Sequence, residues 1–175
     1  MKRTVWLWEL FGFAFTSLGG TLLHFLYELS GGAVLIAPFS GVNESTWEHM
    51  KLLFWPMLIV TFVESFFFRE YSSFWCIKTR GILLGLSLIP IIFYTYNGAI
   101  GRSPDWVNIA IFFVAAAAAY IYEIRALYNK NTVCQSPNLS IFLLCILALL
   151  FVIFTFIPPH IGIFKDPLTG GYGIM

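Results

Sequence analysis

The chain predicts an all-α, polytopic membrane helix bundle of about five transmembrane helices, and three observations carry that prediction. Apolar stretches of near-spanning length recur five times along it. Hydrophobic residues make up 59% and charged residues only 11%, and mean hydropathy is +0.82. Soluble domains carry roughly a quarter charged residues, whereas a ~30 Å hydrocarbon core asks for about 20 apolar residues per helix. At 175 residues the length leaves no room for a separate soluble domain, so 1–175 reads as one integral membrane domain. A net charge of +1 gives no reason to expect a nucleic-acid partner.

The first helix is expected over Val5–Glu28. Met1-Lys2-Arg3 ahead of it imitates a secretion signal, but the apolar run is too long, contains Glu9 and lacks a small-residue cleavage site, so it reads as a retained helix. Gly19-Gly20 gives it a slim waist, His24 and Glu28 share a face, and Gly31-Gly32 ends it. Ala33–Gly41 is too short to span and too apolar for a solvated loop. It is expected in the interface or dipping back onto the protein, over the same pocket as the tail 161–175.

The second helix, Thr46–Phe68, opens with the S-x-x-E spacing of a capping box at Ser45 and Glu48, and kinks where Pro56 leaves the Leu52 carbonyl without its usual donor. Arg69–Arg80 reads as a basic connection, and Ile82–Asn97 as the third helix, with Pro90 as a kink and Gly81/Gly85 as a close-packing pair. The fourth helix opens at Ser103-Pro104-Asp105, with Ser103 as cap, and runs to Tyr128 behind the smooth run Ala115–Ala119. The fifth, Leu139–Ile157, stops at Pro158-Pro159, and Asp166–Gly170 carries a turn signal.

Five spans put the termini on opposite sides. Lys2, Arg3, Arg69, Lys78, Arg80, Arg125 and Lys130 fall on one side; Lys51, Arg102 and Lys165 on the other. The positive-inside rule then predicts the N-terminus inside and the C-terminus outside, in the plasma membrane. Cys76 and Cys134 are expected as reduced cytoplasmic thiols, and Cys145 lies in an apolar run.

With that topology the three histidines, His24, His49 and His160, converge on the outer side with Glu28, Glu44, Glu48, Asn97, Asp105 and Asp166. Histidines and carboxylates on separate helix ends suit a metal: zinc takes three protein ligands at catalytic sites and activates a water in the fourth position. His24, His49, His160 and Glu28 are the expected ligands, Glu44 and Glu48 the expected catalytic carboxylates. Asn43, Trp47, Asn97 and Asp166 are further pocket candidates. Against this, histidines at helix ends also serve as plain interfacial residues, and no H-E-x-x-H spacing is present. Glu48 also reads as a cap partner, which puts its replacement at about 1 kcal/mol. Trp47 also reads as an interfacial anchor, and Lys51 as a partner of Glu48 or a snorkelling cation. Glu64, with Glu9 and Glu123, reads as part of a structural ion pair with Lys78, Arg80 or Arg125.

The run Asn43-Glu44-Ser45-Thr46-Trp47-Glu48-His49, with Lys51-Leu52-Leu53-Phe54 and Pro56, resembles a family of small, uncharacterised bacterial integral membrane proteins, as does the tail Asp166-Pro167-Leu168-Thr169-Gly170-Gly171-Tyr172-Gly173-Ile174. The resemblance spans most of the chain. It implies a bacterial plasma-membrane protein and brings no activity with it.

Two functions remain in play. One is a membrane-embedded, metal-dependent hydrolase or transferase acting on a lipid or lipid-linked substrate from the outer side. The other is a non-enzymatic binding or transport protein with a polar outer pocket for a small ligand or ion. A third, plainer role for the cluster is to tie helix ends and tail together. No serine-nucleophile, P-loop or dinucleotide motif is present, and no internal repeat supports a transporter of the inverted-repeat kind.

Overall fold

The computed structural model describes residues 2–129 and 132–174; Lys130, one of the basic residues counted above, lies outside them. Five helices make up the bundle: α1 Lys2–Leu29, α2 Thr46–Phe67, α3 Phe74–Ala99, α4 Asp105–Tyr128 and α5 Pro137–Phe156, followed by a short 3-10 turn, Gly162–Phe164. All five are long and apolar enough to cross a membrane. Among the described residues there is no strand beyond a single bridge between Lys165 and Tyr172.

α2 is the centre. It packs against α1 on one side and α3 on the other, while α4 closes the bundle between α1 and α3, and α5 rests on α3. Lipid tails are as apolar as leucine, so small residues that let backbones approach set these contacts. A Cβ on Gly12 would stand 2.7 Å from the Tyr120 ring, and one on Gly20 would stand 2.5 Å from Phe112 and 2.9 Å from the Leu52 carbonyl oxygen. That carbonyl is the one Pro56 deprives of its donor. The kink and the slim waist of α1 therefore meet at one point. Gly85 likewise seats α3 on Leu53 and Ala119, and the core is built from Leu53, Phe54, Ile82, Ala115, Ala116 and Phe151.

Three elements differ from expectation. α3 begins at Phe74, eight residues before Ile82, because Lys78 is fully buried rather than solvated. Ser103 does not cap α4: its hydroxyl donates to Asn108 Oδ1 while its N–H meets Asn97 Oδ1, and Pro104 takes the cap position. Cys76 and Cys134 are joined in a disulfide, tying the start of α3 to the α4–α5 connection. Fifty-eight residues separate them, and nothing in that spacing announces the contact.

The segment 33–41 is a string of turns, as its length and apolarity required. It folds back onto the helices: Lys51 Nζ donates to Ala37 O at 2.9 Å, and Trp55 Nε1 to Pro38 O at 2.9 Å. Ser40 goes further and wedges into α1. Its hydroxyl accepts from Tyr27 N at 2.9 Å and donates to Leu23 O, bridging backbone groups of successive turns of α1. The tail docks at the same end, with Phe164 buried against Trp47 and Gly173 O accepting from Asn43 Nδ2 at 2.9 Å.

Candidate functional site

Val42–Ser45 is pinned from both sides. Glu48 Oε2 accepts the Val42 N–H, Asn43 Oδ1 accepts the Ser45 N–H, and Ser45 Oγ caps α2 by accepting from Glu48 N at 3.4 Å. Only half of the expected capping box forms, because Asn43 has taken the Ser45 N–H that Glu48 would have reached. Glu44, in the middle of this turn, has no such structural duty. Its carboxylate turns back between two helices, Oε1 lying 3.7 Å from His24 Nε2 on α1 and Oε2 3.5 Å from His49 Nε2 on α2. Ser40 is anchored on α1 beside His24, and the Gly41 N–H donates to Leu23 O at 3.3 Å.

The two imidazoles lie 5.5 Å apart, and one ligand atom from each of His24, Glu44 and His49 falls within 4.8 Å of the others. All three side chains are partly exposed. His49 carries further information. Its Nδ1 lies 2.9 Å from the Ser45 carbonyl oxygen, which can only accept, so Nδ1 bears the proton. In the neutral ring Nε2 then points a lone pair at Glu44 Oε2. Two acceptors 3.5 Å apart can share a proton, a water or a metal ion.

Two clefts meet at this point. The larger, about 390 Å³, runs between α1 and α4 past Gly20, Thr21, Phe25, Ile109 and Phe113. The smaller, about 90 Å³, lies between α2, α3 and α4 and holds Thr46, Asn97, Arg102 and Ser103. Glu44, His49, Asp105, Asn108 and Leu168 border both.

Five residues expected at the site lie elsewhere. Glu48 is buried, its carboxylate 2.6 Å from Lys51 Nζ, which also donates to Ala37 O and Thr155 Oγ1 and so has all three protons placed. Trp47 is a core ring stacked among Phe151, Phe154 and Phe164. Asp166 organises the tail turn by accepting from Leu168 N and Thr169 Oγ1. Glu28 is exposed one turn beyond His24, and His160 is exposed against Tyr172 at 4.6 Å. Asn97 does line the smaller cleft, and Asn43 supports the Glu44 turn. Arg102 and Asn108 were not singled out from the sequence. Asn108 is one helical turn along α4 from Asp105, which is the signal that was available.

The opposite end of the bundle holds a second cluster. Lys78 Nζ lies 2.7 Å from Glu9, 2.5 Å from Glu64 and 2.7 Å from Glu123, and all four side chains are fully buried. This is the structural ion pair expected of Glu64, enlarged to three carboxylates. Among the described residues Glu9 Oε2, Glu64 Oε1 and Glu123 Oε1 have no hydrogen-bond partner, and Glu64 Oε2 is close to the ammonium but outside hydrogen-bond alignment. Neither cleft reaches it.

Fold and site together define a polytopic helical membrane protein with a histidine–carboxylate cluster at one end. The chain belongs to a family of unknown function, DUF6512, whose model matches residues 2–174. No curated protein and no solved structure matches it.

Proposed function

We propose that His24, Glu44 and His49 hold a zinc ion, and that the protein is a metal-dependent hydrolase or transferase acting on a lipid or lipid-linked substrate. The observation that carries this reading is the pair of acceptors, His49 Nε2 and Glu44 Oε2, held 3.5 Å apart with the His49 proton committed to Ser45 O. An imidazole whose second nitrogen donates to a backbone carbonyl is the usual metal-ligand arrangement. Ligands about 2.0–2.1 Å from a tetrahedral zinc stand about 3.3 Å from one another. Here the histidine–carboxylate separations are 3.7 and 3.5 Å, to different oxygens of Glu44, and the three ligand atoms lie within 4.8 Å of one another, so the side chains would close in on a bound ion. Two histidines and one carboxylate form a known catalytic donor set that keeps a position open for water, whose pKa the metal brings down to about 7. Asp105 borders the same junction and is the candidate base.

The site faces the extracytoplasmic side of a bacterial plasma membrane in this reading, on the strength of the basic residues at the other end. The Cys76–Cys134 disulfide pulls the other way, since cytoplasmic thiols stay reduced. Reporter fusions after Asn131 and after Met175 decide the orientation. They should report the basic end inside and the histidine end outside.

Metal analysis of the full chain, purified in mild detergent without chelator, tests the centre. About one zinc per chain is expected, lost in His24→Ala, Glu44→Ala and His49→Ala and kept in His160→Ala and Glu28→Ala. A metal-free wild type, or equal retention in all five variants, overturns it. Zinc retained with no turnover of any lipid ester or phosphoester would favour the binding-protein reading instead.

A further inference from the structure

The geometry points to an anionic, chain-bearing lipid as the ligand, lying across both clefts with its chain in the larger and its anionic group in the smaller, against Arg102. The inference rests on the reading of His24, Glu44 and His49 as the reactive centre, because that centre stands where the clefts join.

The larger cleft is a sideways opening. Lower down, α1 and α4 are sealed: Thr16 Oγ1 and Tyr120 OH are 2.7 Å apart, Gly12 lies against the Tyr120 ring, and Gly20 lies against Phe112. Above Gly20 the seal ends. The cleft begins there, and Phe25, Ile109 and Phe113 at its mouth are 51%, 58% and 37% exposed. On helices that cross a membrane, such a mouth opens to hydrocarbon and admits a chain without passing it through water. Its volume of about 390 Å³ lies within the range of ordinary ligand pockets.

The smaller cleft is different in kind. Asn97, Ser103 and Asn108 are bonded to one another along one wall, Asn97 Nδ2 to Ser103 Oγ at 3.3 Å and Ser103 Oγ to Asn108 Oδ1 at 2.8 Å. Arg102 stands beside them and, among the described residues, has no carboxylate within ion-pair distance. Glu44 and Asp105 border both clefts, so the direction is set by what each cleft has of its own: Arg102 with the polar wall in the smaller, and Phe25, Ile109 and Phe113 in the larger. This fixes the direction in which an amphiphile lies and sets the bond between its two parts over the histidines. A guanidinium is suited to a phosphate or carboxylate because its planar donors match two oxygens at once.

Binding of two fluorescent lipids with identical chains, phosphatidic acid and diacylglycerol, to the full chain in detergent tests the assignment. Phosphatidic acid should bind more tightly than diacylglycerol. Arg102→Gln should weaken phosphatidic acid about tenfold, the loss expected for one charged hydrogen bond, and leave diacylglycerol unchanged. Arg102→Lys should recover part of the loss. Thr21→Phe, which fills the larger cleft, should weaken both lipids. Inorganic phosphate should not displace phosphatidic acid. The titration is repeated on chelator-treated protein, and Arg102→Gln should keep the zinc content of wild type. Absence of zinc therefore defeats the metal reading without touching the lipid preference. Equal binding of the two lipids, an Arg102→Gln protein that binds phosphatidic acid as wild type does, or displacement by inorganic phosphate overturns the lipid assignment.

Discussion

Each end of the bundle gathers acidic side chains from several helices, and the two gatherings are built for opposite purposes. At one end Glu9, Glu64 and Glu123 surround Lys78 with every side chain out of reach of solvent and of both clefts. At the other, Glu44 faces two histidines, all three partly exposed where two clefts join. The first is built around a lysine; in the second, among the described residues, no lysine or arginine is paired with the carboxylate, which faces two imidazoles. The same division recurs within four residues of chain. Glu48 is buried and paired with Lys51, while Glu44, one turn away, is open and unpaired by any lysine or arginine. A carboxylate in a membrane protein thus declares little by its depth. What matters is whether the protein supplies its counter-charge and whether anything can reach it.

The sharpest way to break this contrast is Lys78→Met. It strips three buried carboxylates of the only cation that pairs with them among the described residues, and removing one partner of a buried pair costs about 3–5 kcal/mol. Loss of folded protein in detergent unfolding is expected, and a variant as stable as wild type would mean that the cluster is not what holds those helices. Glu48→Ala comes next. The cap alone predicts about 1 kcal/mol, but the carboxylate also holds Lys51 and the Val42 N–H, so a loss of roughly 3 kcal/mol is expected by the same unfolding measurement. A value near 1 would return Glu48 to the capping role.

Gly81→Ala probes the cluster without touching charge. Its Cβ would fall 2.1 Å from Glu123 Oε1, forcing the carboxyl aside, and a loss of about 1–3 kcal/mol is expected; no change in melting temperature would show that α3 and α4 yield there. His49→Ala should have the smallest effect on folding, within about 1 kcal/mol, because the ring is partly exposed and belongs to neither buried lysine–carboxylate pairing. It should nevertheless remove bound zinc completely. A His49 variant that melts far below wild type would erase the distinction between the two ends.

Much of this was legible in the chain. Helix count follows from apolar length, the Leu52 carbonyl freed by Pro56 and the glycine pairs mark where helices touch, and a turn rich in Asn, Glu and Ser before α2, with His49 just inside it, marks the polar end. Boundaries were legible only where local chemistry decides them. Gly31 and Gly32, at φ of 68° and 78°, stop α1 where the dipeptide said they would. The start of α3 was not legible, because Lys78 looks like a solvated cation until three acids from other helices surround it.

The sequence by itself determined that five helices are long and apolar enough to cross a membrane, that Glu44 and His49 stand together at one end, and that His24 ends up at the same end. These depend on hydrophobic length and on spacing along one chain, which are local quantities. Only the tertiary structure decided that Glu44 reaches both His24 and His49 while His160 and Glu28 stay out, that Glu48 is consumed by Lys51, that Cys76 meets Cys134, and that Arg102 faces a cleft. Each of those depends on how helices rotate and how loops fold back, through contacts such as Ser40 on α1 and Asn43 on Gly173. No periodicity encodes such contacts, because they join residues that the chain itself holds far apart.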